Sequence, residues 1–258
     1  MTDDRATHDA VIRALADAPF RSSGEWLDRH LADPERVERF ARFLGRHYYY
    51  ERLVHFFKYS RALAPVTGRH PDAVLKSPAF DAVLIGAVLG SRASARAVAR
   101  LAVAHVQEGS RERVPYLADL LQYEEAMMVV EAGPRVWRDV EGEEPASVRR
   151  TTAPTVVEGT AVLDLEYDLP VVLPLLLRPW TDVPTCSRSR TTLIMARSAH
   201  GRVAVARANR VIASIMELAD GRKTLGDLAR EAGLRPAELE ATLDGLVELG
   251  ALRFSTGS

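Results

Sequence analysis

His47, Glu51 and His55 stand four residues apart in the run HYYYERLVHFF, the densest set of chemistry-bearing side chains in this sequence. Four residues turn a helix by about 400°, so the three form one strip that drifts about 40° per step. Two imidazoles and a carboxylate are the parts of a metal site or a proton relay. The strip also takes in Lys58, while Phe43, Tyr50, Leu53, Val54 and Phe57 are expected on the other side. A helical pair of histidines lacks the further ligands and supporting shell of a stable site, and His105 and Glu124-Glu125 cannot be placed beside it. The strip therefore reads as a solvated or partner-facing surface, and no metal is expected in this chain. Cys186 lies in TDVPTCSRSR, where Arg188 and Arg190 favour a thiolate. No histidine is near it in sequence, so an inert loop cysteine is expected. There is no G-x-S-x-G, no Walker-type loop and no G-x-G-x-x-G. No catalytic residue is assigned.

The elements that carry these residues fall into two kinds. Asp33 is a candidate N-cap with Pro34 at the first helical position, predicting a long helix to about Leu63, stopped by Ala64-Pro65. Ser77-Pro78 starts another helix in the same way, with Phe80, Val83, Leu84 and Ala87 as its apolar stripe. Ala93–Val106 and Val114–Val130 follow at helical spacing, the latter stopped by Gly133-Pro134. No strand-like alternation appears before about residue 150, so residues 1–140 read as an all-α bundle. Residues 141–157 are charged and Pro-containing, as in a linker. Ala161–Tyr167 alternates apolar and acidic residues as a half-buried strand does. Pro170, Pro174, Pro179 and Pro184 forbid a long helix after it. Thr191–Arg197 and Arg202–Arg207 are β-rich and joined by Ser198–Gly201, as in a hairpin. Three short helices follow: Ala208–Leu218, Thr224–Glu231 with Thr224 and Asp227 close to a capping box, and Pro236–Leu249 stopped by Gly250. Leu252–Phe254 is a candidate last strand. The expected class is α+β, with the bundle followed by a small winged-helix-like β-β-β-α-α-α module over residues 158–258.

Bulk properties narrow the function classes. A chain of 258 residues with 47% hydrophobic and 27% charged residues is expected to fold. Lys+Arg 34 against Asp+Glu 35 makes it a poor nonspecific nucleic-acid binder. The longest apolar stretches, Ala82–Leu89 and Val171–Leu177, fall far short of the roughly 20 residues that span a bilayer, so no membrane partner is expected. The N-terminal MTDDRATHDA has no apolar core of a secretory signal, and the single cysteine suits a reducing cytoplasm.

The text RVAVARANRVIASIMELADGRKTLGDLAREAGLRPAELEATLDGLVELGALRF carries strand, helix, Asp-Gly turn, Thr-Leu helix start and a last helix ending in Leu-Gly-Ala-Leu. The segment from about Thr191 to Phe254 resembles the precursor-peptide recognition element of ribosomal-peptide modification systems, typified by the pyrroloquinoline-quinone peptide chaperone. It also resembles a winged helix, but a DNA reader needs a basic last helix. The last helix here carries Glu238, Glu240, Asp244 and Glu248, with no Lys or Arg after Arg235. A peptide reader needs a strand edge and an apolar groove. Arg202, Val203, Ala204, Val205, Ala206 and Arg207 are the candidate edge, and Leu239, Leu243, Leu246 and Val247 the candidate groove. Leucines at helical spacing also serve as ordinary core.

The runs RHYYYERLVHFFKYSRAL, Lys76–Phe80 and YLADLLQYEEAMMVVEAG look like those of the partner proteins of multinuclear nonheme iron oxidases that modify precursor peptides. That resemblance implies a non-catalytic accessory subunit that binds the leader peptide and the oxidase, with the iron in the oxidase and no cofactor here. Tyr48, Tyr49, His55 and Phe56 are the expected partner interface, because consecutive residues point about 100° apart and cannot share one core. A winged-helix regulator with a helical sensor domain and a helical metalloenzyme using His47, Glu51 and His55 are the competing readings.

Overall fold

Asp33 accepts a hydrogen bond from Arg36 N at 2.8 Å and starts the longest helix at Pro34, as its sequence predicts. The computed structural model describes residues 2–29, 33–109, 112–133, 153–198 and 200–254. Contacts divide the chain into two compact units, residues 1–132 with 173–184 and residues 133–172 with 185–258. Most of the expected linker, residues 141–152, lies outside the described residues. The division departs from the expected boundary near residue 140, because residues 173–184 group with the first unit.

The described part of the first unit is helical, with α1 (Thr2–Ala16), α2 (Ala18–Arg21), α3 (Gly24–Leu27), α4 (Pro34–Phe56), α5 (Lys58–Ala62), α6 (Ala64–Thr67), a 3-10 helix Pro71–Lys76, α7 (Pro78–Ile85), α8 (Arg92–Gln107) and α9 (Leu117–Glu131). Ser77 and Ser91 cap α7 and α8 through their hydroxyls. Tyr49, Leu53, Phe57, Phe80, Val98, Ala102, Leu120 and Met128 are fully buried or nearly so.

The long helix expected to reach Leu63 breaks at Phe57, whose side chain is fully buried. In an unbroken helix the amides of Tyr59 and Ser60 would bond carbonyls four residues earlier. Here both donate instead to one carboxylate oxygen of Glu124 on α9, at 2.8 and 3.1 Å. A distant side chain thus serves the open amides at the start of α5.

The second unit mixes strands and helices: β1 (Pro154–Val156), β2 (Ala161–Leu165), the start of α10 (Leu169–Leu176), β3 (Thr191–Arg197), β4 (Val203–Ala208), α11 (Arg210–Leu218), α12 (Leu225–Ala232), α13 (Pro236–Leu249) and β5 (Leu252–Phe254). The proline-punctuated stretch does form a helix, but only an eight-residue one, with Pro174 inside it. β2, β3 and β4 form an antiparallel sheet in that order. β1 pairs separately with β5, Val156 opposite Leu252. β1 falls inside the expected linker and adds a strand to the three expected before the helices; a three-residue strand is defined by its distant partner and not by its own pattern.

Alternate residues of β3 serve two buried faces. Ile194 and Ala196 join Ile215, Leu228, Leu239, Leu243 and Leu252 in one core, and Leu193 and Met195 are buried on the opposite face. Thr224 and Asp227 form a complete capping box at the start of α12. Gly250 ends α13 with φ 85°, and a Cβ there would lie 2.3 Å from Arg197 O. No other residue fits both the left-handed backbone and that close approach.

Burial pushes the Glu124 carboxyl from its ordinary 4.5 up to about 8, against the hydrogen bonds from Ser60 and Tyr59 and the charge of Lys58. A folded-state pKa raised above the unfolded one gives stability that is fully present below the unfolded value and is lost as pH rises towards the folded value. Thermal unfolding of the wild type should therefore fall from about pH 5 to about pH 8 through this group. Glu124→Gln keeps the acceptor and should flatten that dependence. Glu124→Ala leaves the Tyr59 and Ser60 amides without an acceptor and should lose about 2–4 kcal/mol near pH 5, a deficit that shrinks towards pH 8 as the wild type itself weakens.

Candidate functional site

β4 lies at the edge of the three-stranded sheet. Its pairing with β3 sets Arg197 opposite Val203, Met195 opposite Val205 and Leu193 opposite Arg207. Ser198 N donates to Arg202 O at 2.9 Å across the end of the hairpin, so that pair is a bonded one. Bonded and non-bonded pairs alternate along an antiparallel ladder. The backbone groups of Ala204, Ala206 and Ala208 therefore turn towards β3, and those of Val203, Val205 and Arg207 turn outward. Arg202 precedes the strand and is exposed, as are Arg207 and Val205, the latter at 37%. Arg207 is held by Asp168 at 2.6 Å. The six-residue edge expected at Arg202–Arg207 is thus a strand at Val203–Ala208 with three outward-facing backbone positions. α11 and α13 both pack against β4.

The expected groove is not at the surface. Leu239, Leu243 and Leu246 are buried in the core that α11, α12 and α13 share with Ile194 and Leu252. The leucine stripe has the three-and-four spacing that buries a helix face, and the helical trio consumes it. Val247 is half-buried. Outward on α13 stand Glu238, Asp244 and Glu248, all exposed, and Arg235 is ion-paired to Glu238. That face is acidic, the wrong sign for a phosphate backbone.

On α4 the partition of aromatics also differs from expectation. Ala41, Gly45, Tyr49 and Leu53 repeat every fourth residue and face the core, with Phe56 one turn on. Tyr49 and Phe56 are buried and do not form an accessible interface. Tyr48 is half-buried, edge-on to Tyr49 at 5.1 Å and under the Arg52 guanidinium at 4.7 Å. His55 is exposed and edge-on to Phe56 at 4.7 Å. The exposed aromatics are Phe43 at 63%, Phe40 at 50% and Tyr50 at 43%. Phe43 stacks on Phe40 at 6.3 Å and on His47 at 6.4 Å. Phe43 and Tyr50 therefore share the outward strip with His47 and are not opposite it. The signal was present in the sequence: the small residues Ala41 and Gly45 mark the face where another helix approaches, and the outward aromatics lie half a turn away.

His47 pairs with Glu51 at 3.3 Å, both well exposed. Among the described residues no group of three or more His, Cys, Asp or Glu side chains converges to hold a metal ion. Cys186 is half-buried, and Arg188 is taken up by Glu166 at 2.9 Å. Among the described residues no helix is long and apolar enough to cross a membrane. Comparison with known proteins returns no matching family model and no matching curated sequence.

The burial of Leu243 has a direct consequence for any binding experiment. Leu243→Ala should lower the unfolding free energy by about 2–5 kcal/mol through lost transfer energy and a cavity. Asp244→Ala, on the exposed side of the same helix, should change it by less than about 0.5 kcal/mol. Urea denaturation of the two variants beside the wild type checks both.

Proposed function

We propose that this chain is a non-catalytic accessory subunit that takes the leader of a precursor peptide as an added strand on β4 and presents it to a multinuclear nonheme iron oxidase. The observation that carries the reading is the edge of β4, with the backbone groups of Val203, Val205 and Arg207 turned outward. An open edge is a hazard that proteins cover or use, and strand addition is its common use in peptide recognition. The strand order and the three following helices agree with the sequence resemblance to peptide-recognition elements. The module remains winged-helix-like in this reading, with an acidic last helix that argues against a DNA-binding regulator. Affinity comes from main-chain bonds along Val203–Arg207, and not from Leu239, Leu243 or Leu246.

The oxidase would meet the outward stripe of Phe40, Phe43, His47 and Tyr50 on α4. Large aromatics left in water on one helix face are the residue types enriched at buried centres of interfaces. The iron and the oxidative step belong to that partner, and this chain holds and orients the peptide.

Two measurements test the reading. Fluorescence anisotropy with a labelled leader, from the short precursor gene expected beside this one, should lose all binding with Val205→Pro, because proline removes the outward amide. Val205→Thr should weaken it by no more than about threefold, since its amide is intact. Circular dichroism must show both variants folded, and undiminished binding by a folded Val205→Pro protein would overturn strand addition here. Separately, Phe40→Asp with Phe43→Asp should abolish co-elution with the neighbouring oxidase while leaving leader affinity unchanged. Co-elution that survives the double substitution removes the α4 stripe as the docking surface.

A further inference from the structure

At the α11 end of β4 an open cleft of about 500 Å³ is lined by Arg190, Arg207, Arg210, Ser189, Asp164 and Thr192, among others. Its charges do not cancel. Asp164 accepts the Thr192 hydroxyl at 2.7 Å, and Arg207 is neutralised by Asp168 at 2.6 Å. Arg190 and Arg210 have no ion-pair partner among the described residues, and against the one negative charge that Asp164 keeps they leave the cleft a positive balance. Arg210 also opens α11, whose first turn adds the positive end of the helix dipole to the same side. Asn209 holds the start of that helix by accepting Ile212 N at 2.9 Å.

The position of the cleft decides what it can read. Asp164, Thr192 and Ala208 are opposite one another across the sheet, so their side chains share the face that carries α11. A strand added to β4 puts every second side chain on that face. Its residue level with Ala208, or the one just beyond the end of β4, is delivered to Arg190 and Arg210. We infer that this cleft selects peptides carrying one Asp or Glu side chain at that position, fixing the register of the added strand. The inference rests on strand addition at β4 and adds the chemical class of side chain read there. A planar carboxylate matches the guanidinium fork in geometry as well as charge, and a register anchor is what a sequence-tolerant main-chain ladder lacks.

Selection of a random twelve-residue mRNA-displayed peptide library on the full chain tests this. Displayed peptides are joined to their mRNA through the C-terminus, so a carboxylate read by the cleft is a side chain. Enriched peptides should share one Asp or Glu at a fixed distance from an alternating apolar stretch. The acid should fall to its library frequency when selection is repeated on folded Arg190→Gln/Arg210→Gln protein. A synthetic copy of the top peptide should bind that variant roughly tenfold more weakly, and its Asp→Asn or Glu→Gln version should lose a similar factor on the wild type and nothing further on the variant. Peptides enriched on the wild type and lost on Val205→Pro, but with no shared acid, overturn the inference and leave strand addition standing. An acid preference that persists in the arginine variant also overturns it. Absence of any enriched peptide removes strand addition and the cleft's role together.

Discussion

A carboxyl group sealed in an apolar interior must be neutral or fully hydrogen-bonded, because its charge is poorly solvated there. Glu124 meets this condition by staying protonated up to about pH 8, while one of its oxygens accepts two successive amides at the start of α5. Those amides are free only because the chain leaves the α4 helix at Phe57. The break and the buried acid therefore require each other. Without the break Glu124 would lack donors, and without Glu124 the amides of Tyr59 and Ser60 would be expensive to bury. The turn that results leaves Phe57 fully buried and starts α5 and α6 in place of further turns of α4.

In the second unit the corresponding constraint is steric. Gly250 must come within contact of the Arg197 carbonyl with a left-handed backbone, and this brings the end of α13 to the hairpin end of β3. From there the chain continues into β5, which pairs with β1. The core that forms between α11, α12, α13 and β3 takes up the leucines that a peptide groove would have needed. What stays outside is backbone: the outward positions of β4. Main-chain groups are the same whatever side chain they carry, so the outward positions Val203, Val205 and Arg207 carry no motif.

The two outward surfaces differ in kind. The α4 stripe is a set of exposed side chains, Phe40, Phe43, His47 and Tyr50, with Phe43 stacked on both Phe40 and His47, on a helix whose other face is buried. The β4 edge is a row of hydrogen-bonding groups flanked by arginines. The first suits burial of area against a folded protein, the second suits an extended chain.

Local chemistry in the sequence determined much of the helical architecture. Asp33-Pro34, Ser77-Pro78, Thr224 with Asp227, and Gly250 are caps whose geometry depends on residues within one turn, and all appear where their sequence places them. The hairpin from Thr191 was legible because two alternating runs flank a short turn. Tertiary structure alone decided the break at Phe57, since it depends on an acid 67 residues away. It also decided the β1–β5 pairing, which joins two three-residue segments at opposite ends of the module. Which leucines are core and which aromatics are surface was likewise settled by packing. Helical periodicity says that a face is apolar, but only the neighbouring elements say whether that face meets protein or water. The Arg190–Arg210 cleft follows the same rule: two arginines twenty residues apart become one site only when β3 and β4 bring them to the same end of the sheet.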